Sequence, residues 1–167
     1  MIQACPPNYW MMQLHPSQST QDLRYVHASL AAGFIGLDFT GQVTESMQTL
    51  DWSTVDERHK PFHLFYDTMR TGDYVLIMAH NQPVALVEVT GEYRFEPVAI
   101  RTWFRHMRAV EVIGYYGDFV PADDPREPII MGYTIGQQLA ASNGPAYRLI
   151  DRWAAAHTAS KTAAANP

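Results

Sequence analysis

A single cysteine, Cys5, stands among 167 residues, so no internal disulfide can form and a reducing compartment is the simpler setting. Long apolar runs are missing too: "YVLIMA" (74–79) and "PIIMGY" (128–133) fall far short of a membrane span. The opening "MIQACPPNYW" has neither the basic region nor the apolar stretch of a signal peptide, and the chain reads as cytoplasmic with no membrane partner. Charged residues make up only 17%, with a net charge of −5 and a pI near 5.7. That balance argues against non-specific nucleic-acid binding, which draws its affinity from phosphate neutralisation. Catalytic signatures are absent as well. There is no G-x-S-x-G elbow, Walker-type loop, H-E-x-x-H or paired-cysteine motif, so no cofactor is expected. Cys5 lies in a Pro-flanked tail, a poor setting for a nucleophile.

What is present is apolar and aromatic material, at 47% and 12% of the chain, enough for one globular domain with a substantial core. "NYWMMQL" (8–14) reads as a first strand, and a helix capped by Ser19 runs to about Ala32 and stops at Gly33. "FIGLDF" (34–39) is a short strand apolar on both faces until Asp38. A Ser53 cap begins a helix that must bend or restart at Pro61. In the hairpin "TGDYVLIMAHNQPVALVEVTGEYRF" (71–95), Tyr74, Leu76 and Met78 alternate with Val75, Ile77 and Ala79. It closes on the aromatic and basic tail "EYRFEP", and "HMRAVEVIGYY" (106–116) is a further strand. After an Asp- and Pro-rich loop, "TIGQQLAAS" and "AYRLIDRWAAAH" read as short helices, and "TASKTAAANP" as a frayed tail. The domain is therefore expected over 1–155, with 156–167 a flexible tail or linker. About five strands without βαβ alternation argue an α+β fold with a curved, mostly antiparallel sheet.

The order of "YWMMQLHP", "GFIGLDF", "GDYVLI…ALVEVTGEY" and "HMRAVEV" resembles the PUA-like superfamily. Within it, the likeness is to the EVE and YTH-like domains at the N-terminus of McrB-type modification-dependent restriction GTPases, and it spans roughly residues 8–116. The resemblance implies a small β-barrel flanked by helices that flips a modified base, most readily a modified cytosine, into an aromatic pocket. DNA is the expected partner ahead of RNA, with cleavage left to a downstream or partner nuclease or GTPase domain. The physics suits the composition, because a flipped base loses a few kcal/mol of stacking that an aromatic pocket returns.

On that reading Phe39, Trp52, Tyr93 and Trp10 are candidate pocket walls, and Asp38 is a candidate acceptor for a base amino group. Each has a structural alternative: core packing for Phe39, Tyr93 and Trp10, a helix-entry staple for Trp52, a turn residue for Asp38. Arg94, Arg101, Arg105 and Arg108 fall within fifteen residues, and Arg94, Arg105 and Arg108, with His106 beside them, are the expected contacts to a nucleic-acid backbone. His80, Asn81 and Gln82 form a hairpin tip explained by turn chemistry. His59 and His63 are four apart, but Pro61 lies between them and no third ligand is nearby, so no metal is expected. The rival reading is a PUA- or ASCH-like hydrolase using Glu88, Glu92 and His106, and a third is a protein or small-ligand binding module.

Overall fold

A computed structural model describes residues 6–16, 21–38, 43–98, 103–120, 127–131 and 136–165. Phe39, Arg101 and Ser19 lie outside the described residues. Among the described residues, seven strands, β1 (Tyr9–Gln13), β2 (Phe34–Leu37), β3 (Tyr74–Ala79), β4 (Gln82–Val89), β5 (Arg94–Phe95), β6 (His106–Tyr115) and β7 (Gly136–Leu139), form one sheet. Its order is β2-β6-β4-β3-β1-β7, with β5 also paired to β6. Every pairing is antiparallel except β1 with β3, so the sheet is mixed, and it curls into a half-barrel flanked by helices.

Both faces of the sheet are covered, which is why its central strands read as unbroken apolar runs. Trp10, Met12, Val75, Ile77 and Val87 face a core shared with the helix α1 (Asp22–Ala32). The same core takes Phe62 from α2 (Lys60–His63) and Phe65 from the π-turn that follows it (Leu64–Thr68). Met11, Leu76, Met78 and Leu86 face the opposite way, onto Leu149, Ile150 and Trp153 of α4 (Pro145–Ala165). The alternation read in the hairpin is thus the division between two cores. The short helix α3 (Tyr116–Phe119) follows β6, and its Phe119 ring stacks on Trp153 at 4.6 Å.

Gly33 ends α1 in the left-handed region (φ 78°), as its position predicts. Gly36 of β2 is required for a different reason: a Cβ there would lie 2.1 Å from the Phe104 ring and 2.3 Å from the His106 carbonyl. The cap at residues 51–54 differs from expectation. Asp51, not Ser53, is the cap, and its carboxylate accepts from the Ser53 N–H at 3.0 Å ahead of a single 3₁₀ turn (Trp52–Thr54). The helix does restart at Pro61, which occupies the first turn of α2 where its missing N–H costs nothing.

Two expectations at the C-terminal end are overturned. "GQQL" within "TIGQQLAAS" is not helix but β7, an edge strand paired antiparallel to β1. The expected tail is not an unstructured linker as far as Ala165, because α4 runs 21 residues. Its Ala-rich sequence has high helix propensity. Lys161 reaches Glu88 on β4 at 3.3 Å, so the helix beyond residue 155 still lies over the sheet.

Candidate functional site

β5 and β6 bring the aromatic tail of the hairpin beside His106, the first residue of β6. Phe95 pairs in register with His106, and the two rings lie 5.1 Å apart. Tyr93 and Phe95 turn inward and Arg94 outward, as the alternation predicts, and Tyr93 is buried. Phe62 meets the His106 ring edge-on at 5.6 Å, and Tyr66 meets Tyr93 edge-on at 5.1 Å.

The polar atoms of these rings hold the segment before Trp52. His106 Nε2 donates to the Val43 carbonyl at 2.9 Å, which leaves Nδ1 bare to accept from the Tyr93 hydroxyl at 2.9 Å. That hydroxyl accepts in turn from the Met47 N–H at 3.0 Å, while the Trp52 indole N–H donates to the Met47 carbonyl at 3.2 Å. Three rings therefore clamp one loop. His106 is fully shielded from solvent, and burial lowers its pKa against the smaller opposing effect of the Val43 bond. Burial likewise raises the Tyr93 phenol.

Trp52 stands at the margin of this set. His63 lies against it at 4.7 Å and Tyr66 at 6.4 Å, nearly parallel. His63 and Tyr66 are three residues apart on one helical stretch, so both approach Trp52 from the same side. The partly buried indole also borders an open cavity of about 200 Å³, completed by Val55, Asp56, Glu57, His59, Lys60 and His63. His59 and His63 thus share a cavity wall. Trp52 and Tyr93 were candidates on the resemblance, but His63 and Tyr66 were missed as ring partners because only the tertiary fold brings residue 52 against that helix.

The other candidates are redistributed. Trp10 does not line the Trp52 cavity: it is a core residue, 2% exposed, and its indole N–H donates at 2.8 Å to the buried carboxylate of Asp73. Asp38 is not a free base reader, because Arg105 donates to both of its oxygens at 2.7 Å, and that bond raises the arginine's pKa. The pair withdraws both residues from their predicted roles. Arg108 is not a phosphate contact. It is 2% exposed and donates to the carbonyls of Phe65, Tyr66 and Gly91 at 3.0, 2.8 and 3.3 Å, so its guanidinium serves as an internal strut. His106, enclosed as described, is not a backbone contact either. Arg94 alone of these stays on the surface, 57% exposed, and it donates to the Glu96 carboxylate at 2.9 Å.

The hydrolase trio does not converge. Glu88 faces α4, where Lys161 and His157 lie 3.3 and 4.0 Å away; Glu92 is exposed; and both His106 nitrogens are engaged. A larger trough, of about 1040 Å³, runs between α4 and residues 70–74, walled on the helix side chiefly by Ala and Thr. Its polar lining includes Arg70 and the Tyr9 hydroxyl, which is bonded to Asp151 at 2.9 Å, with burial and that carboxylate pushing the phenol's pKa up.

No curated protein matches the chain. Among solved structures, protein Atu2648 from Agrobacterium tumefaciens is similar over 83% of this chain and 94% of its own, at 13% identity. Its TM-score of 0.33 is too low to speak for fold or function. A family model covers residues 10–114, the stretch from β1 into β6 that carries the aromatic set: the chain belongs to the family described as Domain of unknown function (DUF8426).

Proposed function

We propose that this domain is a reader of a modified base in DNA, holding a flipped, methylated cytosine against Trp52, and that it is itself no catalyst. In this reading the half-barrel is of the PUA-like kind, with cleavage left to a partner or a downstream nuclease or GTPase domain. The observation that carries the proposal is Trp52: partly buried, locked through its indole N–H to Met47, backed on one side by His63 and Tyr66, and opening on a cavity of about 200 Å³. A rigid aromatic face beside a small open cavity suits a planar heterocycle, and each base–aromatic stack contributes on the order of 1–3 kcal/mol. Glu57 on the rim offers an acceptor suited to a cytosine amino group, and Lys60 a cation for the flanking phosphate. For the hydrolase alternative, Glu88, Glu92 and His106 are not brought together among the described residues.

The test is binding to matched duplexes, unmodified or carrying methylated cytosine or methylated adenine, over a salt series. Wild type should prefer the methylcytosine duplex. Trp52→Ala, shown folded by circular dichroism, should weaken that complex roughly five- to 150-fold, the equivalent of one stack. Equal binding to all duplexes, or an unchanged affinity in the Trp52 variant, would refute the reading.

A further inference from the structure

Away from the aromatic set, three chain segments bring together His15, just after β1, Asp22, the first residue of α1, and His80, at the β3–β4 turn. One donor atom from each lies within 4.8 Å of the other two. His15 Nδ1 is 3.4 Å from Asp22 Oδ1, His80 Nε2 contacts Asp22 Oδ2, and the two imidazoles are 4.9 Å apart. Asp22 Oδ1 is buried and has no hydrogen-bond partner among the described residues, a costly state for a carboxylate oxygen.

Gln13 decides which nitrogen of His15 is bare. Its amide is oriented by the backbone of His80, with Oε1 accepting from His80 N–H and Nε2 donating to His80 O, both at 2.8 Å. The oxygen so fixed is the atom 3.0 Å from His15 Nε2, so Nε2 carries the proton. In the neutral ring, Nδ1 then aims a lone pair at Asp22 Oδ1 and at the Pro16 carbonyl, 3.1 Å away. Lone pairs facing lone pairs call for a positive charge between them, either a second proton on Nδ1 or a metal ion. A metal-bound histidine whose second nitrogen is tied to an oxygen acceptor is the usual support for such a site. His80 takes φ 54° as a residue of the two-residue β3–β4 turn, and the Gln13 bonds hold its backbone there with its ring against Asp22.

We propose that His15 Nδ1, the Asp22 carboxylate and His80 Nε2 bind a divalent transition-metal ion of the zinc type. Ligand atoms about 2.0–2.2 Å from a tetrahedral zinc lie roughly 3.3 Å from one another, close to the His15–Asp22 separation, while His80 Nε2 and Asp22 Oδ2 are in direct contact and would have to part to admit the ion. The donor set of two imidazoles and one carboxylate suits zinc and its first-row neighbours rather than calcium or magnesium. His80 is 69% exposed, so the fourth position opens to water, as in zinc sites with three protein ligands. The proposal is independent of the base-reader reading.

The test is calorimetric titration of tag-free, chelator-stripped protein with zinc chloride, paralleled by cobalt(II) and its visible spectrum. One equivalent should bind, with tetrahedral cobalt bands. His80→Asn keeps a residue that tolerates positive φ and removes a ligand, and Asp22→Asn removes the carboxylate; each should weaken binding at least about tenfold. His27→Gln, on the exposed part of α1, should bind as wild type. No saturable binding, or wild-type binding by His80→Asn, would overturn the proposal and leave the three residues as a hydrogen-bonded ion cluster.

Discussion

Asp73 is fully buried just before β3, and replacing it with Asn isolates what its charge does. Oδ1 accepts from the Asn8 N–H at 2.8 Å; Oδ2 accepts from Trp10 Nε1 at 2.8 Å and from the Arg70 N–H at 3.1 Å; the Asn8 amide spans both at 3.2 Å. All the partners are donors. Asn has the same shape but only one acceptor oxygen, and its amino group would point at donors in either orientation. With the amino group at Oδ1 the Asn8 N–H is orphaned; at Oδ2, the Trp10 indole and the Arg70 N–H both are. Hydrogen bonds to a charged group contribute about 1.5–3 kcal/mol, and an unsatisfied buried donor costs about 1–3 kcal/mol. Asp73→Asn should therefore destabilise the domain by about 2–4 kcal/mol. For a chain of this size that is a fall in Tm of about 4–16 °C. Urea unfolding followed by far-UV circular dichroism, with calorimetry alongside, measures both. A loss below about 0.5 kcal/mol would refute the reasoning, since such an outcome would make the five-bond arrangement energetically idle.

His106 gives a pH prediction whose sign follows from its lowered folded pKa. The unfolded ring binds protons more readily than the folded one, so the stabilisation is present above the ordinary value of 6.5 and is lost as pH falls through the depressed folded pKa. Denaturant midpoints should drop on acidification in that window, less steeply in His106→Gln, and an NMR titration of the ring with a midpoint above 6.5 would contradict it. Arg108→Lys keeps the charge but cannot reach three carbonyls with one ammonium; it should lower stability by about 2–3 kcal/mol, read by urea unfolding, and an unperturbed fold would return Arg108 to consideration as a surface contact.

The local sequence determined most of the strands and the first helix stop. Period-two alternation in "YVLIMA" marked a strand with two distinct faces, and Gly33 marked the end of α1 because only a residue without a Cβ takes φ 78° at no cost. The inward turn of Tyr93 and Phe95 around an outward Arg94 was legible on the same ground. β7 was not, because an edge strand of Gly and Gln has no periodic signal of its own and exists through its pairing with β1. The site was legible only as material. Four arginines in fifteen residues look alike in a sequence; tertiary structure decided that Arg108 is enclosed by carbonyls, Arg105 is paired with Asp38 and Arg94 stays on the surface, paired with Glu96. The same holds for Asp73 beneath Trp10, for His63 and Tyr66 behind Trp52, and for His15, Asp22 and His80. Whether a polar side chain is free to act depends on which distant backbone or side chain satisfies it, and sequence spacing carries no record of that.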